Sequence, residues 1–413
     1  MAKGRLSFLS ITDKKSTLTA VVLVGNVFAW YYAIINLLGA FLANENTIFG
    51  SSEEILSIWI VHFLGIIFSA LLGTGIRNKI GGRRNFLVLW MGLGVVASFA
   101  LMLPMTGMIT VMTVALVLGV SLGLGMPNCM GYFTDKISVE NRGKIGGITI
   151  LFSGLGMLLL NLFLDYSLII VSLILVLWRF SALSLLLVNK SSSREIQKRK
   201  LSETSYRQVI SQQSFILYFV PWIMFSLVNY LGTYIEIDVL GQETFALFTI
   251  FETGLTALFA LLGGFFMDSI GRKRVAIIGF AMLGVGYAGL GLYPDNPISW
   301  YFNIFADGID WGLFFVIFVV TIWGDLSHTA PSDKYYAIGV LPFFVSKLLE
   351  LLIGGEIANL VSPNTLFSFV AFFLFLAVLP LVYAPETLPE KRIRERELNI
   401  YIERAKKAKE KYA

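Results

Sequence analysis

The chain has little of what enzymes commonly use for chemistry. Cys129 is its only cysteine, so no disulfide can form within one chain. Its two histidines, His62 and His328, lie far apart and give no zinc-ligand spacing. A phosphate-binding loop and a serine elbow are also missing. We therefore predict no catalytic residue, no metal and no cofactor, and a protein that is not an enzyme.

Charged residues are scarce as well. They make up 14% of the 413 residues, whereas 56% are hydrophobic and the mean hydropathy is +0.75. Such values exclude an ordinary water-soluble domain. The pI of about 9.1 is poor evidence for a nucleic-acid partner, because basic loops that face anionic lipid headgroups account for it. The composition predicts a membrane protein that contacts the lipid bilayer.

Lysine and arginine are missing from every odd-numbered turn of the hydrophobic pattern. Twelve apolar runs are long enough to cross a bilayer as helices, and 30 of the 32 basic residues lie in the termini or in even-numbered turns. The other two, Arg179 and Lys347, lie within apolar runs. Since basic loops stay in the cytoplasm, we predict both termini there and a multi-pass protein of the cell (plasma) membrane. The predicted helices are 18–42, 55–76, 86–103, 108–133, 144–164, 167–188, 214–238, 244–267, 274–292, 298–326, 336–360 and 364–383.

A charged segment divides the twelve runs into two sets of six. We predict an N-terminal half at 1–188, a cytoplasmic linker at 189–213, a C-terminal half at 214–383 and a basic cytoplasmic tail at 384–413. Two features recur between the halves. A loop with the pattern Gly-x3-Lys/Asp-x2-Gly-Arg follows the second and the eighth helix, and an aspartate ends the fourth and the tenth. Duplication of a six-helix unit is the construction of many secondary transporters.

The loop after the eighth helix resembles the signature loop of the major facilitator superfamily. The resemblance is specific at Gly264, Asp268, Gly271, Arg272 and Lys273, whereas Lys79 replaces the aspartate in the first half. The exit of the fourth helix and the end of the twelfth are similar to the sugar-porter branch. The residues that carry this similarity are Gly123, Gly125, Pro127, Tyr132, Asp135, Glu140, Arg142, Gly143 and the Pro385-Glu386-Thr387 triplet.

The resemblance implies an all-α membrane fold of twelve helices in two six-helix halves. It also implies a solute site near mid-membrane at the interface between the halves, and alternating access by rocking of one half against the other. In the signature loop the aspartate can accept hydrogen bonds from amides at a neighbouring helix N-terminus and from arginines. We predict that Asp268 latches the cytoplasmic face and that Lys79 cannot. The predicted latch comprises Gly75, Gly82, Arg83, Arg142, Gly264, Asp268, Gly271, Arg272 and Asp325.

Ionisable residues inside the predicted helices are candidates for function, because charge in the bilayer core is costly. Asp307 and Asp310 share a face of the tenth helix, and Glu252 lies near mid-depth in the eighth. We predict that these three carry coupling protons, since buried carboxylates hold a proton readily and close neighbours resist double ionisation. Lys347 and Glu350, one turn apart, are expected to pair.

Arg179, within the sixth predicted helix, leaves three interpretations open. Its side chain could snorkel to the membrane interface, pair with a carboxylate such as Asp310, or clamp a substrate anion. We group it with the residues expected to pair their charges within the membrane.

Aromatic faces beside amides and hydroxyls suit a sugar-like or otherwise mixed polar solute. Three tryptophans near mid-depth are unusual because tryptophan prefers the membrane interfaces, although plain packing is the alternative. The candidate solute-binding residues are Asn26, Trp30, Trp222, Ser226, Asn229, Tyr230, Tyr234 and Trp311.

Together these observations predict a monomeric secondary active transporter that moves a small polar organic solute by proton-coupled symport. An uncoupled facilitator is the first alternative. It is favoured by Ala29 and Tyr32, which occupy positions that are acidic in the metabolite–proton symporter branch, a branch that the first helix also resembles through Gly25, Trp30 and Tyr31. The second alternative is a solute sensor that keeps the fold without flux.

Overall fold

The computed structural model describes residues 11–43, 52–189, 204–327 and 330–388, together with Leu398 and Ile402. Over these residues twelve helical spans are long and apolar enough to cross a membrane, and no strand occurs, so the predicted all-α fold is confirmed. Residues 190–203 of the predicted linker and most of the predicted tail lie outside the described residues. The spans are α1 Lys14–Ala43, α2 Glu53–Arg77, α3 Arg83–Met102, α4 Met108–Lys136, α5 Val139–Asn161, α6 Leu168–Val188, α7 Gln213–Leu240, α8 Gln242–Ile270, α9 Arg272–Leu292, α10 Pro297–Leu326, α11 Asp333–Leu360 and α12 Pro363–Tyr383.

Two spans that were predicted as continuous helices are interrupted near a proline. In α4 one helix ends at Gly123 and the next begins at Met126, just before Pro127. In α11 the interruption lies at Val340, two residues before Pro342. Proline has no N–H group and its ring collides with the preceding turn, so a helix bends or restarts at these positions.

Two other spans change their winding close to candidate site residues. The helix of α7 passes through a 3₁₀ turn at Tyr230–Gly232, and α10 contains a π-helical segment at Phe315–Thr321. Short 3₁₀ and π segments inside helices are frequent at functional sites. The first includes the candidate Tyr230, and the second begins four residues after Trp311.

By their packing, the residues form two compact units. The first unit consists of the described residues within 1–137, 152–205 and 329–351, and the second of those within 138–151, 206–328 and 352–413. Each unit therefore contains the first part of one span from the other half of the sequence, α11 in the first unit and α5 in the second. The domain boundaries predicted from the charged segment stay a prediction.

Inside each unit one pair of helices crosses at glycines. Gly119 and Gly123 of α4 lie so close to the backbone of α2 that a Cβ on either would collide with a carbonyl oxygen there. Gly308 and Gly312 of α10 lie equally close to α8, where a Cβ would meet Leu255 Cβ at 2.7 Å and the carbonyl oxygen of Thr256 at 2.6 Å, respectively. Both glycines recur at one sequence offset, which supports the duplication. Small residues permit this close approach of membrane helices, and in the second unit it places the faces of α8 and α10 side by side.

Candidate functional site

The carboxyl groups of Glu252 and Asp307 come together where α8 and α10 cross. They lie within hydrogen-bonding reach of each other, and the side chain of Trp311 also donates to Asp307. A hydrogen bond between two carboxyl groups requires that one of them carry a proton, because two carboxylates in contact repel each other. The two carboxyl groups can therefore share a single proton.

Asp310 lies one turn further along α10 and is fully buried. Neither of its carboxyl oxygens has a hydrogen-bond partner among the described residues. Gly279 of α9 provides the room for it, since a Cβ at that glycine would lie 3.0 Å from Asp310 Oδ1. A buried acceptor without a partner is costly, so Asp310 is an unusual residue for this position.

A small cavity of about 30 Å³ lies next to the Glu252–Asp307 pair, within the second unit. It has room for about one water molecule. The polar lining side chains are mostly hydrogen-bond acceptors, and the apolar lining is rich in aromatic rings. The lining residues are Glu236, Leu240, Phe245, Phe248, Thr249, Glu252, Tyr287, Trp300, Asn303, Ile304 and Asp307.

Three of the predicted solute-binding residues of the second half belong to one aromatic cluster. Phe225 packs against Trp311 with ring centroids 4.8 Å apart, and against Trp222 at 5.6 Å. Tyr230 joins through Trp311 at 5.9 Å. Within the part of the chain that the structure describes, Trp222 Nε1, Ser226 Oγ and Asn229 Oδ1 have no hydrogen-bond partner. Tyr234, the remaining candidate on α7, is half-buried.

In the first unit the two candidate residues of α1 use their polar groups within the protein. Asn26 Nδ2 donates to the carbonyl oxygen of Trp178 at 2.7 Å, and the indole of Trp178 donates to the carbonyl oxygen of Asn26 at 2.9 Å. Trp30 Nε1 donates to Ser98 Oγ at 2.9 Å. These bonds tie α1 to α3 and α6, and they leave Asn26 Oδ1 as the one acceptor of this pair that is buried without a partner in the described structure.

Arg179 of α6 is held by aromatic rings. Its guanidinium carbon lies 4.9 Å from the ring centroid of Trp30 and 5.1 Å from that of Trp90. The side chain is fully buried, and its three guanidinium nitrogens have no hydrogen-bond partner among the described residues. The expected ion pair is thus replaced by cation–π contacts. Gly94 provides the space, since a Cβ there would lie 2.6 Å from the guanidinium carbon.

Lys347 and Glu350 of α11 form a local ion pair. Lys347 Nζ donates to Glu350 Oε2 at 2.6 Å, and the Glu350 carboxylate is buried while the lysine is partly exposed. This arrangement neutralises both charges within one turn of helix and leaves neither residue pointing to a role of its own.

In the second unit the predicted latch residues form one connected network. Asp268 accepts hydrogen bonds from the backbone amides of Gly143 and Lys144, at 3.0 and 2.8 Å, in the first turn of the α-helical part of α5. Asp325 binds Arg142 and also Arg272, whose Nε lies 2.9 Å away. The network is closed by Glu386, which accepts from the amides of Arg272 and Lys273 at the start of α9.

The glycines of this network are needed where they stand. A Cβ on Gly264 would collide with the carbonyl oxygen of Gly143, and Gly271 has a φ of 102°. By contrast, a Cβ on Gly75 would meet no atom within 4 Å. Gly82, like Gly271, has a positive φ of 113°, which favours glycine.

The first-half loop makes different contacts, which the sequence analysis missed. Lys79 is exposed, and the carboxylate of Asp333, in the first turn of α11, binds both Arg77 and Arg83. Arg83 also binds Asp135. The repeat contains a signal for this, because Asp333 follows Gly143 by the same offset that separates Asp325 from Asp135. In the second half the loop supplies the carboxylate and the start of α5 supplies the donors. In the first half the loop supplies the cations and the start of α11 supplies the carboxylate.

Asn303, Tyr287 and Glu236 were missed for different reasons. Asn303 stands four residues before Asp307, so helical spacing places it on the same face. Tyr287 and Glu236 lie on other helices, and only the packing of α7 and α9 against α10 brings them to the cavity. Trp90, which covers Arg179, has no sequence signal that separates it from packing tryptophans.

The model of the Major Facilitator Superfamily matches residues 19–340. The chain belongs to the Major Facilitator Superfamily. Membership indicates a multi-pass membrane transporter for a small-molecule solute rather than an enzyme, and the predicted resemblance is confirmed. No curated protein matches the chain.

Several solved structures share this fold. The proton:xylose symporter XylE bound to 6-bromo-6-deoxy-D-glucose is 18% identical, with a TM-score of 0.68 over 92% of this chain and 97% of the other. A double-tryptophan mutant of XylE is 16% identical, with a TM-score of 0.65 over 94% and 98%. The human organic anion transporter MFSD10 (TETRAN) is 12% identical, with a TM-score of 0.64 over 89% and 99%. Identities this low establish the fold and leave the solute open.

Proposed function

We propose that the protein is a secondary active transporter that moves a small polar organic solute by alternating access, driven by proton symport. The observation that carries the proposal is the Glu252–Asp307 carboxyl pair, with Asp310 unpartnered and buried one turn away. Three carboxyl groups inside a bundle that spans a membrane are costly unless they titrate or bind a ligand. Since two of them can share one proton, they suit a group that loads and unloads a proton during transport.

The polar and aromatic groups of α7 and α10 support a solute site in the second half. Trp222 Nε1 and Ser226 Oγ are buried without partners in the described structure, and unsatisfied buried groups of this kind are rare unless a ligand or water meets them. Rings beside amides and hydroxyls suit sugars and related metabolites. The fold similarity to a proton:xylose symporter agrees with this solute class and with protons as the coupling ion.

The Asp268 network supports a role as a latch in the transport cycle. It holds the start of α5 through hydrogen bonds of a carboxylate to two backbone amides, which are stronger than neutral ones. Such bonds favour one conformation and must break for the other. We place this network, both chain termini and the basic loops on the cytoplasmic side of the cell membrane, following the charge distribution.

The test begins with a solute. Purified protein is screened by thermal shift against sugars, polyols, amino acids, amines and carboxylates, since a bound solute raises the unfolding temperature with its concentration. Proteoliposomes are then assayed for counterflow of the labelled hit. The proposal predicts counterflow, and concentrative uptake that a proton-conducting ionophore abolishes. Binding without counterflow would contradict transport and favour a sensor.

An uncoupled facilitator is the second candidate. Helix α1 has Ala29 and Tyr32 where related symporters have acidic residues, and its polar groups Asn26 and Trp30 are engaged in packing. A facilitator would show counterflow of the same solute but no accumulation under a proton gradient, with or without the ionophore.

A further inference from the structure

Most of the polar side chains that line the cavity beside the Glu252–Asp307 pair accept hydrogen bonds. Asp307 Oδ1 and Asn303 Oδ1 are buried without a partner among the described residues, and the carboxylate of Glu236 belongs to the same lining. Asn303 and Asp307 are both more than nine-tenths buried. The indole N–H of Trp300 does not serve the cavity, because it donates to the carbonyl oxygen of Pro294 at 2.6 Å. A ligand here must therefore supply donors.

The electrostatics of the cavity call for a positive charge. Glu236, Glu252 and Asp307 all line it, and no lysine, arginine or histidine does. Tyr287 of α9, which lines the cavity, and Asp310, which lies one turn from Asp307 on α10, carry no positive charge either. The Asp307 carboxyl is more than nine-tenths buried, and its Oδ1 has no partner among the described residues. Such a group is costly, so a cationic ligand gains both charge neutralisation and hydrogen bonds there.

Size and the rest of the lining narrow the class of cation. A volume of about 30 Å³ takes a head group about as large as one water molecule. A compact primary ammonium group fits such a space better than the bulkier guanidinium and quaternary ammonium groups. The rings of Phe245, Phe248 and Trp300 line the cavity as well, and aromatic faces attract ammonium ions and cover carbon chains. Among the described residues no group of three or more His, Cys, Asp or Glu side chains could hold a metal ion, which favours an organic cation.

We propose that this cavity binds the primary ammonium group of the transported solute, so that the solute is an amine such as an amino sugar or another small amine metabolite. The three N–H donors of an ammonium group match the acceptors of Asp307, Asn303 and Glu236. This inference rests on the proposed function, because it names the class of solute for the same site.

The probe is n-butylammonium chloride, added to the purified full-length protein in a thermal-unfolding titration. Sodium chloride, sodium butyrate and n-butanol are titrated in parallel at matched ionic strength. We expect a saturable rise of the unfolding temperature with butylammonium and none with the other three. Glu236→Gln and Asn303→Leu should each shift the midpoint of the titration at least about tenfold, the effect of losing one charge-assisted hydrogen bond. The control is Glu243→Gln, an exposed carboxylate at the start of α8, which should leave the midpoint unchanged.

Two results would overturn the inference. One is stabilisation by sodium, butyrate or butanol that equals that of butylammonium. The other is butylammonium binding that survives unchanged in either cavity variant, so that one folded variant suffices for the decision. Counterflow separates the two proposals. A protein that moves a neutral or anionic solute and ignores butylammonium refutes this inference alone, whereas one that binds butylammonium but moves no solute refutes transport and leaves the amine site standing.

Discussion

The two halves of the chain carry their buried charges in opposite ways. In the first half a single cation, Arg179, is covered by the rings of Trp30 and Trp90, and the polar groups around it are engaged with one another. In the second half three carboxyl groups lie near a cavity, and several of their oxygens have no partner among the described residues. A caged cation stabilises one arrangement, whereas unpartnered carboxyls await a proton or a ligand. This difference is the reason why we propose that coupling resides in the second half and that the first half supports the structure.

The signature loops of the two halves also carry charges of opposite sign at the matching contact. In the second half Asp268 caps the start of α5, while the first-half loop has an exposed Lys79 and receives Asp333 from α11 instead. Duplicated halves can thus keep a contact while exchanging the charges that make it. A motif whose key residue is replaced can therefore keep its contact through a residue on another element.

The largest effect is expected at Asp307. Asp307→Asn should lower the accumulation ratio of the solute to about 1, because the carboxyl pair can no longer load a proton that responds to the gradient, while exchange of labelled solute continues. The measurement compares concentrative uptake with counterflow in proteoliposomes. Asp295→Asn, in the exposed turn before α10, is the control and should behave as wild type. Full accumulation by Asp307→Asn would contradict the proposal that the second half couples transport to protons.

Alanine substitutions of Gly264 and Gly75 compare the packing of the two loops through the free energy of unfolding. Gly264→Ala should lower the free energy of unfolding by about 1–3 kcal/mol, because its Cβ collides with the backbone of α5. Gly75→Ala should be neutral or stabilise by about 0.5–1 kcal/mol, since its Cβ meets nothing and alanine is the better helix former. Denaturant titrations of both variants give the values. Equal effects would mean that the loops are packed alike.

Substitutions of Asp268 and Lys79 compare the two loops by their effect on the transport rate. Asp268→Asn should reduce the transport rate about tenfold while the protein folds, because its charge-assisted bonds to two amides weaken by about 1.5 kcal/mol. Lys79→Ala should leave the rate unchanged, since this side chain is exposed. Initial rates at matched protein content provide the comparison. Asp268→Asn at the wild-type rate would refute the latch.

The smallest effect concerns Arg179. Arg179→Met should raise the free energy of unfolding by about 1 kcal/mol and preserve transport, because an apolar side chain replaces a buried cation without a counter-ion. Lys347→Met is the matched control with the opposite sign, since it leaves the buried carboxylate of Glu350 without its partner. Loss of transport in a folded Arg179→Met protein would contradict the purely supporting role that we give to the first half.

The fold could be predicted far more fully than the site. Twelve apolar runs suffice for the spans, because the bilayer fixes the helix length. The close approach of Glu252 and Asp307 depends on the crossing of α8 and α10 at Gly308 and Gly312, which no local pattern specifies. The caging of Arg179 likewise depends on which faces of α1, α3 and α6 meet.

The helix breaks lie between these extremes. Pro127 and Pro342 mark them in the sequence, but each proline could equally bend a continuous helix. In α4 the tight contact of Gly125 with the indole of Trp90 accompanies the break, and that contact is tertiary. The 3₁₀ turn of α7 and the π segment of α10 have no sequence signature of this kind.

The most direct test of proton symport measures the internal pH of proteoliposomes during solute influx. Proteoliposomes that contain a pH-sensitive dye receive the solute identified by thermal shift, with no pH gradient imposed. We expect that solute influx acidifies the interior in wild type, and that Asp307→Asn moves solute with no change of internal pH. Solute influx without acidification in wild type, or unchanged acidification in Asp307→Asn, would contradict this expectation.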